Sequence, residues 1–350
     1  MTAAAIGKHC GLPNRVDLLV HNRVAQRQTA CPLRAMFISV MKIASIITTT
    51  LLGAIRVFAQ PAVVGSGYSA PYPIPVAPGQ LVTIFVKGIG ATLTSRVSAA
   101  ALPLPYNLAG ISVTIDELMP PPSLKEKVPL LAVAPTRSTS LAGAPEGIVT
   151  AVTVQIPYFL RTSSFISPLT PPPATLTVYE NAAPAVTISI APMADQIHIA
   201  TTCDANLVPS PPVLCRPLIA HGDGSPVTPG QPAHPGEEIV LYAFGLGTAF
   251  PGVVTGEATP MPSQPIGSPP RLWFEPANPY QASERQWADP VFAGLAPGFA
   301  GLYQINFFAP APPLPFLPTS CSTFDSPNGN VAITVRGYMS ADTGSFCVAP

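Results

Sequence analysis

Pro78-Gly79-Gln80-Leu81-Val82-Thr83-Ile84-Phe85, followed by Gly88-Ile89-Gly90, recurs 157 residues later as Pro235-Gly236-Glu237-Glu238-Ile239-Val240-Leu241-Tyr242, followed by Gly245-Leu246-Gly247. The same offset pairs Leu176-Thr177-Val178 with Ile333-Thr334-Val335. A period shared by both ends of a unit predicts two copies of one domain. Each copy opens on a Pro-Gly turn, continues as a β-branched strand and stops at a glycine, the residue that takes left-handed backbone angles without steric penalty.

Composition agrees with an all-β chain. Apolar residues make up 47 % of the 350, enough to fill two cores. The 47 prolines and 26 glycines punctuate Val/Ile/Thr-rich runs. Proline breaks helices and is confined to turns and strand edges. Disorder would require the apolar segments to be missing, because such chains cannot bury enough surface to offset chain entropy. Unit one is expected at 76–192, with strands Leu81–Val86, Ile111–Ile115, Val149–Ile156, Leu176–Tyr179 and Val186–Ile190. Val152, Val154 and Ile156 share one face with Thr153 and Gln155 opposite, the period-two pattern of a half-buried strand. Unit two is expected at 234–350, with strands Glu238–Ala243, Arg271–Phe274, Pro290–Ala293, Leu302–Phe308 and Asn330–Arg336. Nothing reads as a long helix, and the best stretch, Pro121–Leu131, is short and led by proline. Several short strands per unit predict two tandem immunoglobulin-like β-sandwich units, a small barrel being the alternative.

Charge is unevenly placed under a formal net charge of zero. Residues 1–59 carry Lys8, Arg15, Arg23, Arg27, Arg34, Lys42 and Arg56 against Asp17 alone, which leaves the remainder acidic. An acidic body without basic runs argues against nucleic acid, whose phosphates demand clustered Lys and Arg. Met41–Ala59 reads as a signal peptide: Lys42 is the positive start, Ile43–Ile55 the apolar run and Val57-Phe58-Ala59 the small-residue cleavage site. That run is too short for a membrane span, which needs about 20 residues; an uncleaved anchor or a buried strand is the competing reading. Residues 1–40 are expected to be an untranslated or disordered leader, with translation starting at Met36 or Met41, and 60–75 a Gly/Ser/Pro-rich lead-in.

Cysteine usage points to export as well. Cys203, Cys215, Cys321 and Cys347 lie beyond the signal, and four cysteines allow three pairings. Proximity favours Cys203–Cys215 and Cys321–Cys347, each closing a loop worth about 3 kcal/mol in the chain-entropy model. A zinc site is the weaker reading, since no pair has the C-x₂₋₄-C spacing. Cys203 and Cys215 fall in a connector, 193–233, whose runs Ile197–Ala200 and Leu218–His221 read as a disulfide-tied hairpin.

Two blocks carry a resemblance: His221–Gly247, HGDGSPVTPGQPAHPGEEIVLYAFGLG, and Phe292–Asn306, FAGLAPGFAGLYQIN. Together they resemble the uncharacterised C-terminal domain abundant in secreted proteins of Solibacter-type acidobacteria. Unit one resembles the region that often precedes that domain, with Gln155-Ile156-Pro157 standing where Gln304-Ile305-Asn306 stands. The resemblance implies an extracytoplasmic, immunoglobulin-like accessory module and brings no catalytic residues. The chain departs from the pattern at Glu275–Pro290, where the family has a short turn.

No catalytic residue, metal or cofactor is expected. Gly-x-Ser-x-Gly and His-Glu-x-x-His do not occur. His221, Asp223 and a serine could form a triad on geometry alone, but His221-Gly222-Asp223-Gly224 reads more simply as a turn in which Asp223 bonds its own backbone. The two Gly-x-Gly turns lack a following helix and so are not phosphate cradles. Asp116-Glu117 and Glu237-Glu238 are pairs only, where calcium wants several oxygen ligands, so a weak calcium site is the lesser reading beside plain strand ends. The best binding candidates are Tyr280, Glu284, Arg285 and Trp287 on the insertion, where the aromatic rings could stack on a sugar or enter a partner's groove; the plainer reading has Trp287 covering a sheet edge. Trp273 is expected in the core. The reading is thus an exported, non-catalytic module, secreted or held at the cell surface, with a structural, adhesive or ligand-binding role and with extracellular polysaccharide or a surface protein as its partner. The runner-up is a polysaccharide-binding accessory to a secreted hydrolase. Mass spectrometry of the producing cells should find no peptide from Thr2–Arg34; recovering one overturns the placement of the translation start.

Overall fold

The computed structural model describes residues 62–66, 73–117, 124–138, 147–162, 174–206, 215–247, 253–261, 265–274, 286–311, 321–323, 327–340 and 342–350. The leader, the signal-like segment and most of the insertion lie outside them. The first ten strands are β1 (Ala62–Ser66), β2 (Ile74–Val76), β3 (Leu81–Lys87), β4 (Val97–Ser98), β5 (Ile111–Glu117), β6 (Leu124–Val128), β7 (Leu130–Ser138), β8 (Gly147–Gln155), β9 (Ala174–Glu180) and β10 (Ala183–Pro192). After β11 (His198–Ile199) and the one described helix, α1 (Thr202–Asn206), come β12 (Ile219–His221), β13 (Glu238–Phe244) and β14 (Arg271–Phe274). The chain then forms β15 (Gln286–Ala288), β16 (Phe292–Leu295), β17 (Tyr303–Phe308), β18 (Gly329–Val335), β19 (Tyr338–Met339) and β20 (Gly344–Phe346). The fold is all-β.

Four sheets form. The first half holds β1-β3-β8-β7-β4 and β2-β10-β9-β5-β6. The second half holds β11-β13-β17-β16, with β12 also on β13, and β15-β14-β18-β19, with β20 also on β18. In each half the two sheets share one apolar cluster. In the first, Val82, Ile84, Val152 and Val154 meet Ile111, Val113 and Ile115 of β5 together with Leu176 and Val178 of β9. In the second, Ile239, Leu241, Tyr303, Ile305 and Phe307 meet Leu272, Phe274, Val331 and Ile333. Each fully buried Val, Ile, Leu or Phe is worth about 1.5–3 kcal/mol, so these alternating faces fix strand register.

The sequence repeat has a structural counterpart. The bounds of β3 shifted by 157 are those of β13. The order β3-β8-β7 recurs as β13-β17-β16, and β9-β5-β6 as β18-β14-β15. In both Gly-x-Gly turns the glycines have positive φ, 85° and 69° at Gly88 and Gly90, 72° and 92° at Gly245 and Gly247. The residue between them, Ile89 or Leu246, is buried in its half's core. Each turn therefore ends a strand and plugs the end of an apolar cluster.

Several expectations change. Pro121–Leu131, the stretch closest to a helix in sequence, contributes β6 and the start of β7 instead. Pro129 stands between strands that belong to different sheets, and it switches the chain from one to the other. The lead-in at 60–75 supplies β1 and most of β2, each paired to a strand of the first half. Cross-strand register also removes the proposed equivalence of Gln155 and Gln304. Ile84 faces Val152, while its counterpart Leu241 faces Ile305, so Ile305 matches Val152 and Gln155 lies at the strand's end. The face of β8 opposite Val152 is not solvated: Thr153 and Gln155 are buried too, with Thr153 hydrogen-bonded to Thr83 at 2.9 Å. The connector segment joins a sheet, since β11 and β12 both pair with β13. Its hairpin stem is closed by the Thr201–Pro217 bridge and by the disulfide Cys203–Cys215, Cα–Cα 5.2 Å. Cys321 and Cys347 form the second disulfide, Cα–Cα 5.4 Å.

The halves meet through backbone and amide groups. Gln155, fully buried, accepts from Gly256 N at 2.6 Å and donates to Gly79 O at 3.4 Å. Gln80, also buried, accepts from Ala77 N at 2.8 Å and donates to Gln196 O at 3.2 Å. Leu104 N donates to Gly256 O at 2.7 Å, and Tyr158 N to Thr255 Oγ1 at 3.1 Å. Gly301, φ 68°, packs so closely that an added Cβ would stand 2.5 Å from Gly79 O. At Gly298, φ 78°, a Cβ would meet nothing within 4 Å. Gly301→Ala should therefore lower stability by about 3 kcal/mol or more, and Gly298→Ala by about 1 kcal/mol. Equal urea midpoints for the two variants would show that the halves do not press together at this point.

Candidate functional site

Of the four insertion residues, Tyr280, Glu284 and Arg285 lie outside the described residues. Trp287 sits on β15, directly across from Trp273 on β14. The rings stack, centroids 5.7 Å apart at 26°, a geometry that adds about 0.5–1.5 kcal/mol to area burial. Trp273 is buried, but Leu272 and Phe274 beside it supply the core cluster, and strand alternation turns Trp273 to the sheet's other face. Arg271 lies with its guanidinium carbon 5.1 Å from the Trp287 centroid, and its Nε donates to Asp289 Oδ1 at 3.0 Å. Trp287 remains 39 % exposed. It covers Trp273, and Arg271 in turn lies over it. A cavity of about 580 Å³ adjoins this group, bounded by Ile266, Pro270, Arg271, Asp289 and Phe292.

The histidines are held in polar networks. In the His221 turn, Asp223 Oδ1 accepts from Ser225 N at 2.9 Å and Ser225 Oγ at 2.6 Å. His221 instead pairs with Glu237 Oε1 at 2.6 Å and donates to Gln231 O at 3.2 Å. The Glu237 bond raises its pKa, and burial pushes the other way without cancelling it. Asp223 thus closes an Asx turn, and no His–Asp pair forms there.

His198 is buried between two carboxylates. Nε2 bonds Asp204 Oδ2 at 3.0 Å, and Nδ1 bonds Asp342 Oδ2. Asp204 Oδ2 also accepts from Thr201 N at 2.7 Å and Thr201 Oγ1 at 2.6 Å; Thr201 and Asp204 form the capping box that starts α1. Asp342 Oδ1 accepts from Ile199 N at 3.0 Å. Burial would lower the His198 pKa, but the hydrogen bonds and charges of Asp204 and Asp342 outweigh it and raise it to about 9. Asp204 responds oppositely: burial pushes it up, and His198 with Thr201 brings it below the usual carboxylate range. With both nitrogens engaged by carboxylates, the ring links β11 to α1 and to the segment of Asp342.

A second cavity, about 360 Å³, opens between the halves. Leu81, Leu104 and Leu131 line it from the first half, Leu218, Phe244 and Leu302 from the second. Phe299, 57 % exposed, stands on the second half's wall in the loop that carries Gly298 and Gly301. Arg96, Thr201 and Asp204 are its charged and hydroxyl-bearing lining groups. Sequence reasoning did not find this cleft. Its walls come from segments scattered along the chain, and the one local signal was the glycine-rich block Phe292–Asn306. Among the described residues no group of three His, Cys, Asp or Glu is placed to hold a metal, and no helix is long and apolar enough to cross a membrane.

Comparison with protein-family models finds no match, and comparison with curated proteins finds none either.

The His198 network sets a pH dependence. The folded pKa of about 9 exceeds the unfolded value of 6.5, so its stabilisation is complete below pH 6.5 and is lost as pH rises through 9. Linkage puts the loss at about 3 kcal/mol. Urea unfolding from pH 6 to 10 should show this decline, and His198→Gln should flatten it; an unchanged slope in the variant would assign the decline elsewhere.

Proposed function

We propose that the chain is an exported, non-catalytic module of two tandem immunoglobulin-like β-sandwiches with a structural, adhesive or ligand-binding role at or beyond the cell surface. The joint between the halves carries this reading. Buried amides and tightly packed glycines hold the two halves in one orientation, so loops from both form composite surfaces on a rigid scaffold, where binding residues tend to sit. Strand order supports the immunoglobulin-like assignment. Taking β3 as strand B, the first half pairs B with E and D in one sheet and G-F-C in the other. The parallel pairing of β2 with β10 adds the A′–G contact. Two disulfides accord with an oxidising compartment, as does the signal-like Met41–Ala59. The likeness to the Solibacter-type C-terminal domain rests on the two motif blocks and points the same way.

The alternative is a polysaccharide-binding accessory module working beside a secreted hydrolase. The exposure of Trp287 favours it, as does the 580 Å³ cavity lined by Arg271, the residue that lies over that ring. The position of Arg271 opposes it, because a sugar stacking on that ring face must displace the guanidinium. The deciding experiment applies the oxidised protein and Trp287→Ala to a cell-envelope polysaccharide array and crosslinks both to intact cells. Surface crosslinks retained in the variant, with a blank array, are the expected result. Saturable glycan binding lost in the variant would install the alternative, and turnover on an ester or glycoside panel would defeat both readings.

A further inference from the structure

The segment that follows β20 is fastened by a side chain with reactive chemistry of its own. Asn328 is fully buried. Its Nδ2 donates to Val348 O at 2.7 Å, and its Oδ1 accepts from Val348 N at 2.8 Å. Val348 also bridges Ala233 in parallel, with Ala233 N donating to Cys347 O at 2.9 Å and Ala349 N to Ala233 O at 2.7 Å. The Cys321–Cys347 disulfide adds a covalent tie beside these hydrogen bonds.

Asn328-Gly329 is the one Asn-Gly pair in the chain. Packing dictates that glycine: an added Cβ would stand 3.0 Å from the ring of Phe346, which faces Gly329 across the β18–β20 ladder. An asparagine followed by glycine is especially prone to deamidation, because no side chain hinders the next amide nitrogen from reaching the carboxamide carbon. Two features hold that reaction off here. Both ends of the carboxamide are fixed on Val348, and the ladder keeps the Gly329 backbone in a strand beside Phe346. Both are lost together when residues 344–348 lift from β18.

We propose that Asn328-Gly329 is a deamidation site guarded by β20 and the residues after it, and that the Cys321–Cys347 disulfide controls its exposure. A dithiol reductant passes two electrons and two protons to the disulfide, leaving two thiols on the protein and becoming a disulfide itself. Without the crosslink the segment opens more often, because its chain is less constrained. In the open state Gly329 N attacks Asn328 Cγ, the bond from Cγ to Nδ2 breaks, and ammonia leaves with the proton lost from Gly329 N. Water then opens the succinimide at either carbonyl, giving aspartate or isoaspartate. The new carboxylate has no N–H for Val348 O and brings a charge to a buried position, so the segment no longer docks as before. A reversible opening becomes a permanent one. The site depends on neither the adhesive nor the glycan reading.

Incubation of the full chain at mildly alkaline pH, oxidised or with a dithiol, followed by peptide mapping by mass spectrometry, tests the proposal. Conversion of Asn328 should stay at background in the oxidised protein. With the dithiol it should run about tenfold faster or more, while near-ultraviolet circular dichroism keeps its folded form. Cys321→Ser/Cys347→Ser should reproduce the acceleration without reductant, and Cys203→Ser/Cys215→Ser should not. In oxidised Asn328→Asp, the Val348 amide should exchange hydrogen about tenfold faster than in the unmutated protein. Equal conversion in the oxidised and reduced chain, or conversion only after the circular dichroism is lost, would overturn the proposal. So would equal acceleration by Cys203→Ser/Cys215→Ser, or unchanged exchange at Val348 in Asn328→Asp.

Discussion

The side-chain amide of Gln155 is the contact on which the arrangement of the two halves depends. It is fully buried, and it joins Gly79 O on its own half to Gly256 N on the other. Shifting one half relative to the other would strand these groups, and each buried polar group left unpaired costs about 1–3 kcal/mol. Gln80 repeats the device against Gln196 O. Apolar surfaces alone could slide past one another at little penalty, because dispersion and burial have no direction. Buried amides cannot slide. They convert two beads on a string into one body, and the cleft beside them acquires a defined shape.

Strands with alternating β-branched residues were legible in the sequence. Leu302–Phe308 was placed within a residue of its observed bounds, because Tyr303, Ile305 and Phe307 are buried on one face and period two follows from that; Arg271–Phe274 was placed as an apolar run, and Leu272, Trp273 and Phe274 are buried on both faces. Strands of two or three residues, such as β4, β15 and β19, have no room to show a period. β6 was hidden for another reason: Leu124-Lys125-Glu126-Lys127-Val128 is polar through its middle and follows three prolines. It forms because β5 beside it offers a ladder, from Val113–Val128 to Glu117–Leu124. Tertiary pairing supplied what local composition did not.

The site was less legible than the fold, and physical reasons explain the difference. The insertion drew attention because Trp287 stands on a segment without pattern, yet β15 pairs it against Trp273 and gives the ring a covering task. A cleft between two halves leaves no such mark. Leu81 and Leu302 read as strand residues, Leu218 as part of the connector hairpin, and Leu104 falls in no expected element. Only the docking of the halves brings them around one space. The glycines were visible, but the need for Gly301 comes from Gly79 O on the other half, 222 positions away in a chain with no local cue to the approach.

Charges make up 10 % of the chain, and two buried ion pairs flank the joint with opposite energetics. Asp195 pairs with Arg336 at 2.7 Å, but burial outweighs the guanidinium and its pKa is raised. The ionised carboxylate is therefore less favoured there than in water, so this buried pair adds little net stability. His198 has two carboxylate partners, and their combined attraction exceeds the same desolvation penalty. One partner fails where two succeed. His198 thereby ties β11, α1 and the segment containing Asp342 together as a net stabilising cluster, and Asp204 brings that rigidity directly to the wall of the cleft.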